Sequence, residues 1–353
     1  MKLLFAINNL CAGGAERVFS TLVSELSKNE TIDIHIVCCH SEDKFAYFYH
    51  IPEIVPIHLI DYGNINQLRN VISHITPQAV ISFLNPMNYM CSVAAHMVGI
   101  PHIACERNNP YKSPFRDEDR KMRDEAFGQA EGCVFQTEEA VKYFSDKLIG
   151  LHTIIDNPVC NNVNPALKLA ENGINKIVTV GRYAEQKNYF FLIDVFCLFK
   201  TKHPEFILEC YGKDSGEYKK INQYIIDKGM EGCISLKRET PYVHNCIASA
   251  KAFLFTPFFE GTPNALMEAA AIGIPCVASD LPEIRSINHP NPFAILCPLN
   301  NKELFVKALE SVIFDKHLAS SLVSNGQIMA QLRDIRNIAQ RWLAFILTVI
   351  NKQ

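Results

Sequence analysis

No C-x-x-C pair occurs among the 13 cysteines, and 13 is an odd number. A disulfide framework in a short secreted chain needs an even, patterned set, so that class is excluded. Cys38, Cys39, Cys210, Cys276 and Cys297 lie inside apolar runs, where cysteine behaves as a small hydrophobe. A reducing, cytoplasmic setting is expected. A basic excess is missing too: 34 basic against 37 acidic residues leave a formal charge of −3, which excludes a general nucleic-acid binder. Residues 1–170 hold 14 Lys/Arg and 19 Asp/Glu, residues 171–353 hold 20 and 18. The second half is thus the one mildly suited to an anionic ligand.

Charge is absent altogether between residues 70 and 105. A membrane span needs about 20 predominantly apolar residues in a row. Pro77, Gln78, Asn85, Pro86, Asn88 and Pro101 cut the segment into strand and short-helix lengths, so a buried strand–helix–strand unit is expected instead. The opening Met1-Lys2-Leu3-Leu4-Phe5 is interrupted by Asn8 and Asn9 before it reaches signal-peptide length. At 353 residues, 48% hydrophobic and 20% charged, the chain is globular in composition and long enough for two domains.

Short apolar, β-branched runs recur, each followed by a helix-like stretch. Lys2–Ile7, Asp33–Cys39, Val55–Ile60, Ala79–Phe83, His102–Cys105 and Gly132–Phe135 read as strands. Ala15–Lys28, Met87–Val98, Asp119–Gln129 and Glu138–Asp146 read as the helices between them. The polar stretch Asn157–Asn175, with Pro158 and Pro165, fits a linker. The rhythm then restarts, with strands at Lys176–Val180, Phe206–Tyr211, Ile234–Lys237, Ala252–Thr256, Pro275–Ala278 and Phe293–Cys297. Helices are expected near Tyr189–Lys202, Glu217–Lys228, Tyr242–Ser249, Pro263–Ile272 and Lys302–Phe314, and a closing amphipathic one over Asp334–Ile350. Apolar strands alternating with helices indicate an α/β fold with parallel sheets covered on both faces. Ligands of such sheets bind outside the carboxyl ends of the strands, so the expected site is a cleft onto which both sets of ends face.

Three loops carry chemistry. Gly13-Gly14 between the first strand and helix lets backbone pass close to a ligand beside a helix N-terminus; tight-turn geometry alone explains such a pair about equally well. The pattern is not G-x-G-x-x-G, and no acidic residue sits where a dinucleotide ribose would need one. Gly181-Arg182 and Lys187-Asn188 put a planar fork and a point charge on one loop, which suits a diphosphate; two solvated cations are the commoner outcome for such a pair. The most informative segment is Glu260-Gly261-Thr262-Pro263-Asn264-Ala265-Leu266-Met267-Glu268. Pro263 is expected at the first helical position with Thr262 as N-cap. A carboxylate at Glu268 suits a ribose diol, although helix-dipole complementarity also explains each glutamate singly.

These segments, together with Gln136-Thr137-Glu138-Glu139, Asn157-Pro158-Val159 and Tyr211-Gly212, stand in an order and placement that resembles a retaining family 4 glycosyltransferase along nearly the whole chain. The resemblance implies the GT-B fold: two doubly wound Rossmann-like domains with parallel sheets facing across a cleft. Residues 1–165 would be the acceptor-binding domain and 166–333 the nucleotide-sugar-binding domain, with 334–353 a helix around Trp342 crossing back to the first. Arg182 and Lys187 would hold the diphosphate of the leaving group, and Glu260 would face the donor sugar. Glu268 would bind the ribose hydroxyls, and the backbone of Gly261, Thr262, Pro263, Asn264 and Ala265, with Gly181, would meet sugar or phosphate. Gly13 and Gly14 would lie near donor or acceptor phosphate.

Glu106-Arg107-Asn108-Asn109-Pro110 is reminiscent of the subset that builds bacterial O-antigen or capsule on a lipid carrier. It implies transfer of a hexose or N-acetylhexosamine from a nucleotide sugar, UDP-linked by expectation, to a polyprenyl-diphosphate-linked saccharide. Glu106 and Arg107 would then lie near donor sugar or acceptor; a strand-end ion pair is the plainer alternative. The same subset implies a cytoplasmic enzyme with peripheral contact at the inner membrane. The cations of 111–123 are largely cancelled by Asp117, Glu118, Asp119, Asp124 and Glu125, which favours an ordinary solvated face there. No cofactor and no metal are expected, since no D-x-D ends a strand.

One departure concerns the histidine that many family members carry after the fourth strand. Here that loop reads Leu84-Asn85-Pro86-Met87-Asn88; an asparagine can donate a hydrogen bond but cannot act as a general base. His96 and His102 are expected to be core histidines. Two rival readings share the fold. A sugar-nucleotide epimerase needs two placed acid/base groups, which the sequence does not nominate. A catalytically silent binding subunit would lose the cations or glutamates, yet Arg182, Lys187, Glu260 and Glu268 are all present.

Overall fold

The computed structural model describes residues 1–11, 13–40, 49–159, 175–240 and 242–352. It divides into two compact units, Met1–Pro158 with Arg333–Gln353, and Val159–Leu332. Most of the expected linker lies outside the described residues.

The first unit is built on seven strands, β1 Lys2–Ile7, β2 Asp33–Cys39, β3 Ile57–Ile60, β4 Ala79–Phe83, β5 His102–Cys105, β6 Gly132–Phe135 and β7 Leu151–Ile154. Their order is β3-β2-β1-β4-β5-β6-β7 and every pairing is parallel. Side chains alternate strictly along β1. Leu3, Phe5 and Ile7 enter one core with Phe19 and Phe83, while Leu4 and Ala6 enter the core on the other face with Val80 and Met87. Both faces are covered, which is why the strands read as continuous apolar runs. The covering helices are α1 Gly14–Leu26, α2 Ile65–Ile75, α3 Met87–Val98, α4 Asp117–Gln129 and α5 Glu138–Phe144.

The second unit repeats the plan with β8 Lys176–Val180, β9 Ile207–Tyr211, β10 Ile234–Lys237, β11 Ala252–Phe255, β12 Cys276–Ser279 and β13 Ala294–Cys297. The order is β10-β9-β8-β11-β12-β13, again all parallel. Its helices are α6 Tyr189–Lys200, α7 Tyr218–Asp227, α8 Val243–Ala248, α9 Asn264–Ile272, α10 Pro282–Asn288, α11 Lys302–Phe314 and α12 Lys316–Leu332. The closing helix, α13 Ile335–Asn351, belongs to the first unit. Asp334 caps it by accepting from the Arg336 amide at 2.9 Å. Ile338, Trp342, Ile346 and Val349 point into the core that lines β1 and α1.

Four elements escape a pattern reading: α2, β7, α10 and α12. The β7 segment is the polar Leu-His-Thr-Ile at a sheet edge, only half-buried, so it lacks the apolar run that marks its neighbours. Along α12, Gly326 presses on α9, where a Cβ would meet the Ala270 carbonyl oxygen at 2.7 Å. Such close packing leaves no periodic signature. The third strand begins at Ile57 and not at Val55, because Pro56 offers only its carbonyl, which accepts from the Ile36 amide at 2.8 Å.

Each sheet reverses its winding once, between β1 and β4 and between β8 and β11. At such a switch point the loops leave in opposite directions and open a crevice at the carboxyl ends. In the second unit the flanking loops are 181–188 and 256–263, which hold the cations and the first glutamate of the sequence motif.

Candidate active site

The two loops of the second unit are sewn together by Gln186. Its carbonyl oxygen accepts from the Phe258 amide at 2.9 Å, and its side-chain amide donates to the Phe259 carbonyl, also at 2.9 Å. Its Oε1 in turn accepts from an Arg182 Nη at 3.3 Å. Arg182 is otherwise exposed. Lys187 ends the 3-10 turn Glu185–Lys187 and forms an ion pair with Glu260. Both partners are largely buried, with side-chain exposures of 16% and 7%. A charge is tolerated away from water when it is paired and hydrogen-bonded. The ammonium also lies 5.1 Å from the centroid of the Phe255 ring.

Glycines make room for this arrangement. A Cβ on Gly181 would meet the Lys187 methylenes at 3.2 to 3.3 Å, so the bare backbone is the floor on which the lysine stem rests. A Cβ on Gly212 would meet the Gly181 carbonyl oxygen at 1.9 Å. That carbonyl accepts from the buried Tyr189 hydroxyl at 2.6 Å, and the Gly181 amide donates to Tyr211 O at 2.9 Å. The start of the cationic loop is therefore fixed on three sides.

Across the loop after β11, the helix start differs from the expectation. α9 runs from Asn264, with Pro263 as the N-cap residue at φ −80°, ψ 70° and no side-chain cap. The Pro263 carbonyl accepts from Leu266 and Met267 at 3.0 and 3.1 Å, and the Thr262 carbonyl from Asn264 at 2.9 Å. A tight turn at Thr262 thus displaces the helix by one residue, and Thr262 is not the cap. Gly261, Thr262, Asn264 and Ala265 are partly exposed around this turn, whereas Pro263 is buried. Glu268, buried one turn into α9, lies 3.1 Å from Nε2 of His244 on α8. His244 carries no signal in sequence; only the packing of α8 on α9 brings it to Glu268.

In the first unit Gly13 is extended at φ −176° and precedes α1. The Glu16 carboxylate folds over it: a Cβ there would meet Oε2 at 1.9 Å. Gly14 is exposed at the helix start. Glu106 and Arg107 follow β5 and are buried. One Glu106 oxygen accepts from the amides of Arg107 and Asn108 at 2.8 and 2.9 Å; the other has no hydrogen-bond partner. Burial pushes the Glu106 carboxyl above its usual range and lowers Arg107. The Arg107 guanidinium packs against the rings of Phe83 and Trp342, at 4.4 and 5.3 Å. One Nη donates to Asn157 Oδ1 at 3.0 Å, while Nε and the other Nη are buried without partners.

The loop after β4 divides its asparagines. Asn88 is consumed by the core: it donates to Cys105 O at 3.0 Å and accepts from Ser82 Oγ at 2.7 Å. Because Ser82 spends its one proton there, His102 Nε2, 2.6 Å from the same hydroxyl, must carry hydrogen. His102 is a core histidine, held neutral by burial with its pKa pushed down to about 3. His96 is not: it sits exposed in the last turn of α3, on the helix face away from the sheet. Asn85 keeps a buried, unpartnered Oδ1.

Two doubly wound parallel-sheet units make the GT-B fold. Residues 166–329 match the family described as Glycosyl transferases group 1, and the chain is a glycosyltransferase. It is 24% identical to an uncharacterized glycosyltransferase of Haemophilus influenzae over 97% of this chain and 98% of the relative. It is 21% identical, over 99% of each chain, to a Campylobacter jejuni enzyme named GalNAc-α-(1→4)-GalNAc-α-(1→3)-diNAcBac-PP-undecaprenol α-1,4-N-acetyl-D-galactosaminyltransferase. Among solved structures, HepE of Anabaena in complex with UDP and glucose superimposes with a TM-score of 0.81 at 15% identity, covering 99% of both chains. No helix among the described residues is long and apolar enough to cross a membrane.

Proposed function

We propose that the enzyme moves a hexose or N-acetylhexosamine, with retention, from a UDP-sugar to a saccharide carried on a polyprenyl diphosphate, in the assembly of a surface polysaccharide. The second unit takes the nucleotide sugar and the first unit the acceptor. The observation that carries this reading is the Lys187–Glu260 ion pair on loops tied together beside Arg182. The printed name of the Campylobacter relative, with its PP-undecaprenol acceptor, supports the lipid-linked substrate. The UDP and glucose bound by HepE support the donor class.

Glycosyl transfer leaves a diphosphate whose charge grows as the bond breaks, and cations placed beforehand stabilise that transition state without reorganisation. Lys187 is poised by Glu260 and by the Gly181 floor, and Arg182 adds a fork that is free to swing once it leaves Gln186. Glu260 lies where it can meet both the lysine and a sugar hydroxyl. Glu268, steadied by His244, accepts the ribose hydroxyls. The acceptor hydroxyl attacks the face that the leaving phosphate departs from, and that phosphate takes its proton.

Incubating the chain with UDP-glucose and UDP-N-acetylglucosamine, with and without an undecaprenyl-diphosphate saccharide, tests the reading. Release of UDP that depends on the lipid-linked acceptor, with an α-linked product, is expected. Epimerised sugar nucleotide formed without acceptor, or tight UDP-sugar binding with no product at all, would replace it by an epimerase or a binding subunit.

A further inference from the structure

Between the two cations of the 181–188 loop stands a neutral side chain, Gln186, that carries no signal in sequence. It occupies the middle of the 3-10 turn Glu185–Lys187. The turn is fixed at both ends: the Lys187 amide donates to the Ala184 carbonyl and the Asn188 amide to the Glu185 carbonyl, each at 3.0 Å. Asn188 closes it at φ 53°, a left-handed conformation that asparagine tolerates better than most residues. We propose that Gln186 is a positioning residue with two duties. It holds Arg182 in competition with a diphosphate, and it clips the loop of the cations to the loop of Glu260. The proposal rests on the reading of Arg182 and Lys187 as a diphosphate clamp and adds how that clamp is held and released.

The partners fix which end of the amide does what. The Phe259 carbonyl only accepts, so Gln186 must present Nε2 to it, at 2.9 Å. A guanidinium only donates, so Oε1 must face Arg182, at 3.3 Å. The two assignments agree. Other side chains fail at one end. A glutamate would accept from Arg182 but set a carboxylate against the Phe259 carbonyl. A lysine would donate to that carbonyl but repel Arg182, and an asparagine is one methylene shorter.

The main chain adds a bond that no side-chain substitution removes, from the Phe258 amide to the Gln186 carbonyl at 2.9 Å. Glu260 directly follows Phe259, so the clip sets where the partner of Lys187 stands. Both cations are thus engaged within the second unit, Lys187 by a carboxylate and Arg182 by a neutral oxygen. The second hold is the weaker: it is long for a hydrogen bond, and Arg182 is otherwise exposed. Arg182 is therefore the cation that changes partner more readily.

The test is a double-mutant cycle on UDP affinity, read by calorimetry on the full chain with Gln186→Met, Arg182→Ala and the two combined. Methionine keeps the length of the side chain and removes both polar ends. If Gln186 competes with the diphosphate for Arg182, the effect of Gln186→Met on UDP affinity should be about fivefold more favourable with Arg182 present than in the Arg182→Ala background, which is the worth of one hydrogen bond. Steady-state rates with the UDP-sugar that is turned over read the clip. KM should fall with the tighter binding, and kcat should fall too, because the Glu260 loop has lost an anchor. An unchanged kcat would overturn the clip. A residue that only stabilised the fold would lower the thermal midpoint and change UDP affinity by the same factor in both backgrounds. That result, with Arg182→Ala itself weakening UDP, would overturn the competition and leave the clamp standing. Unchanged UDP affinity in Arg182→Ala would overturn the clamp and the competition with it. A coupled cycle in a chain that transfers no sugar would keep the competition and remove glycosyl transfer.

Discussion

Lys187 and Glu260, 73 residues apart in sequence, form an ion pair at the switch point of the second sheet. The lysine therefore does not wait as a lone cation. Glu260 holds it in place and cancels its charge; under the proposed function a diphosphate competes for it. Lys187→Ala and Arg182→Ala should each slow turnover about 100-fold or more, the usual loss when a transition-state contact is removed. Glu260→Gln should separate binding from chemistry. With the carboxylate charge gone, UDP affinity should rise about tenfold, which corresponds to ~1.4 kcal/mol, while transfer slows. Calorimetry with UDP and steady-state rates with the sugar nucleotide check both. Weaker UDP binding in Glu260→Gln would remove the competition between carboxylate and phosphate.

Gly212 is a second checkpoint on the same loop. The Gly181 carbonyl sits where its Cβ would be, at 1.9 Å, and the obstacle is backbone. Gly212→Ala must push apart β9 and the start of the cationic loop. Overpacking of this kind costs about 1–3 kcal/mol, so the urea midpoint should fall. Turnover should fall further than stability accounts for, because the displaced atom belongs to the residue on which Lys187 rests. An unchanged midpoint with unchanged rate would show that the loop yields freely.

The sequence patterns that marked β1, β4, β8 and β11 did so because those strands are buried on both faces and largely apolar, with Ser82 and Thr179 as buried polar exceptions. The same reasoning fails for β7, an edge strand with His152 and Thr153 turned partly to solvent. In the site, Arg182 and Lys187 stand out on one loop after a strand, and Glu260 and Glu268 stand out at a fixed spacing around the Gly261-Thr262-Pro263-Asn264 turn after another. Gln186 does not, since an amide side chain in a loop is an ordinary turn residue. Only the pairing of β8 with β11 brings it to Phe258 and Phe259, and that pairing is long-range. His244 was invisible for a similar reason: nothing local ties α8 to Glu268.

His102 gives a pH prediction with a definite sign. Its imidazole is neutral in the fold, with a pKa near 3 caused by burial, whereas an unfolded histidine titrates near 6.5. Between those values the unfolded chain binds a proton that the folded chain does not. Stability contributed by the neutral ring is whole above about pH 6.5 and is lost as pH falls toward 3, by at most about 1.4 kcal/mol per pH unit. His102→Gln keeps an N–H for Ser82 and removes the titration. Urea midpoints measured from pH 7 to pH 4 should therefore fall less steeply in the variant. Parallel slopes for the two proteins would place the acid sensitivity elsewhere.

Trp342 is the single tryptophan of the chain and is fully buried. Its ring stacks on Phe83 with centroids 5.6 Å apart and supports the Arg107 guanidinium from the closing helix. Since α13 belongs to the first unit, Trp342 emission reports that unit alone, whereas far-ultraviolet circular dichroism reports both. Each unit has its own core, so the two signals need not change together in urea. The emission should start blue-shifted and move to the red in one transition that matches part of the dichroism change. Trp342→Ala removes a large core ring, at a cost of about 3–5 kcal/mol. The part of the dichroism transition that matched the emission should move to lower urea, and the remainder should stay. If the whole curve moved as one, the two units would unfold cooperatively. If Trp342→Ala kept its midpoint but lost saccharide affinity, the ring would act on Arg107 more than on the core.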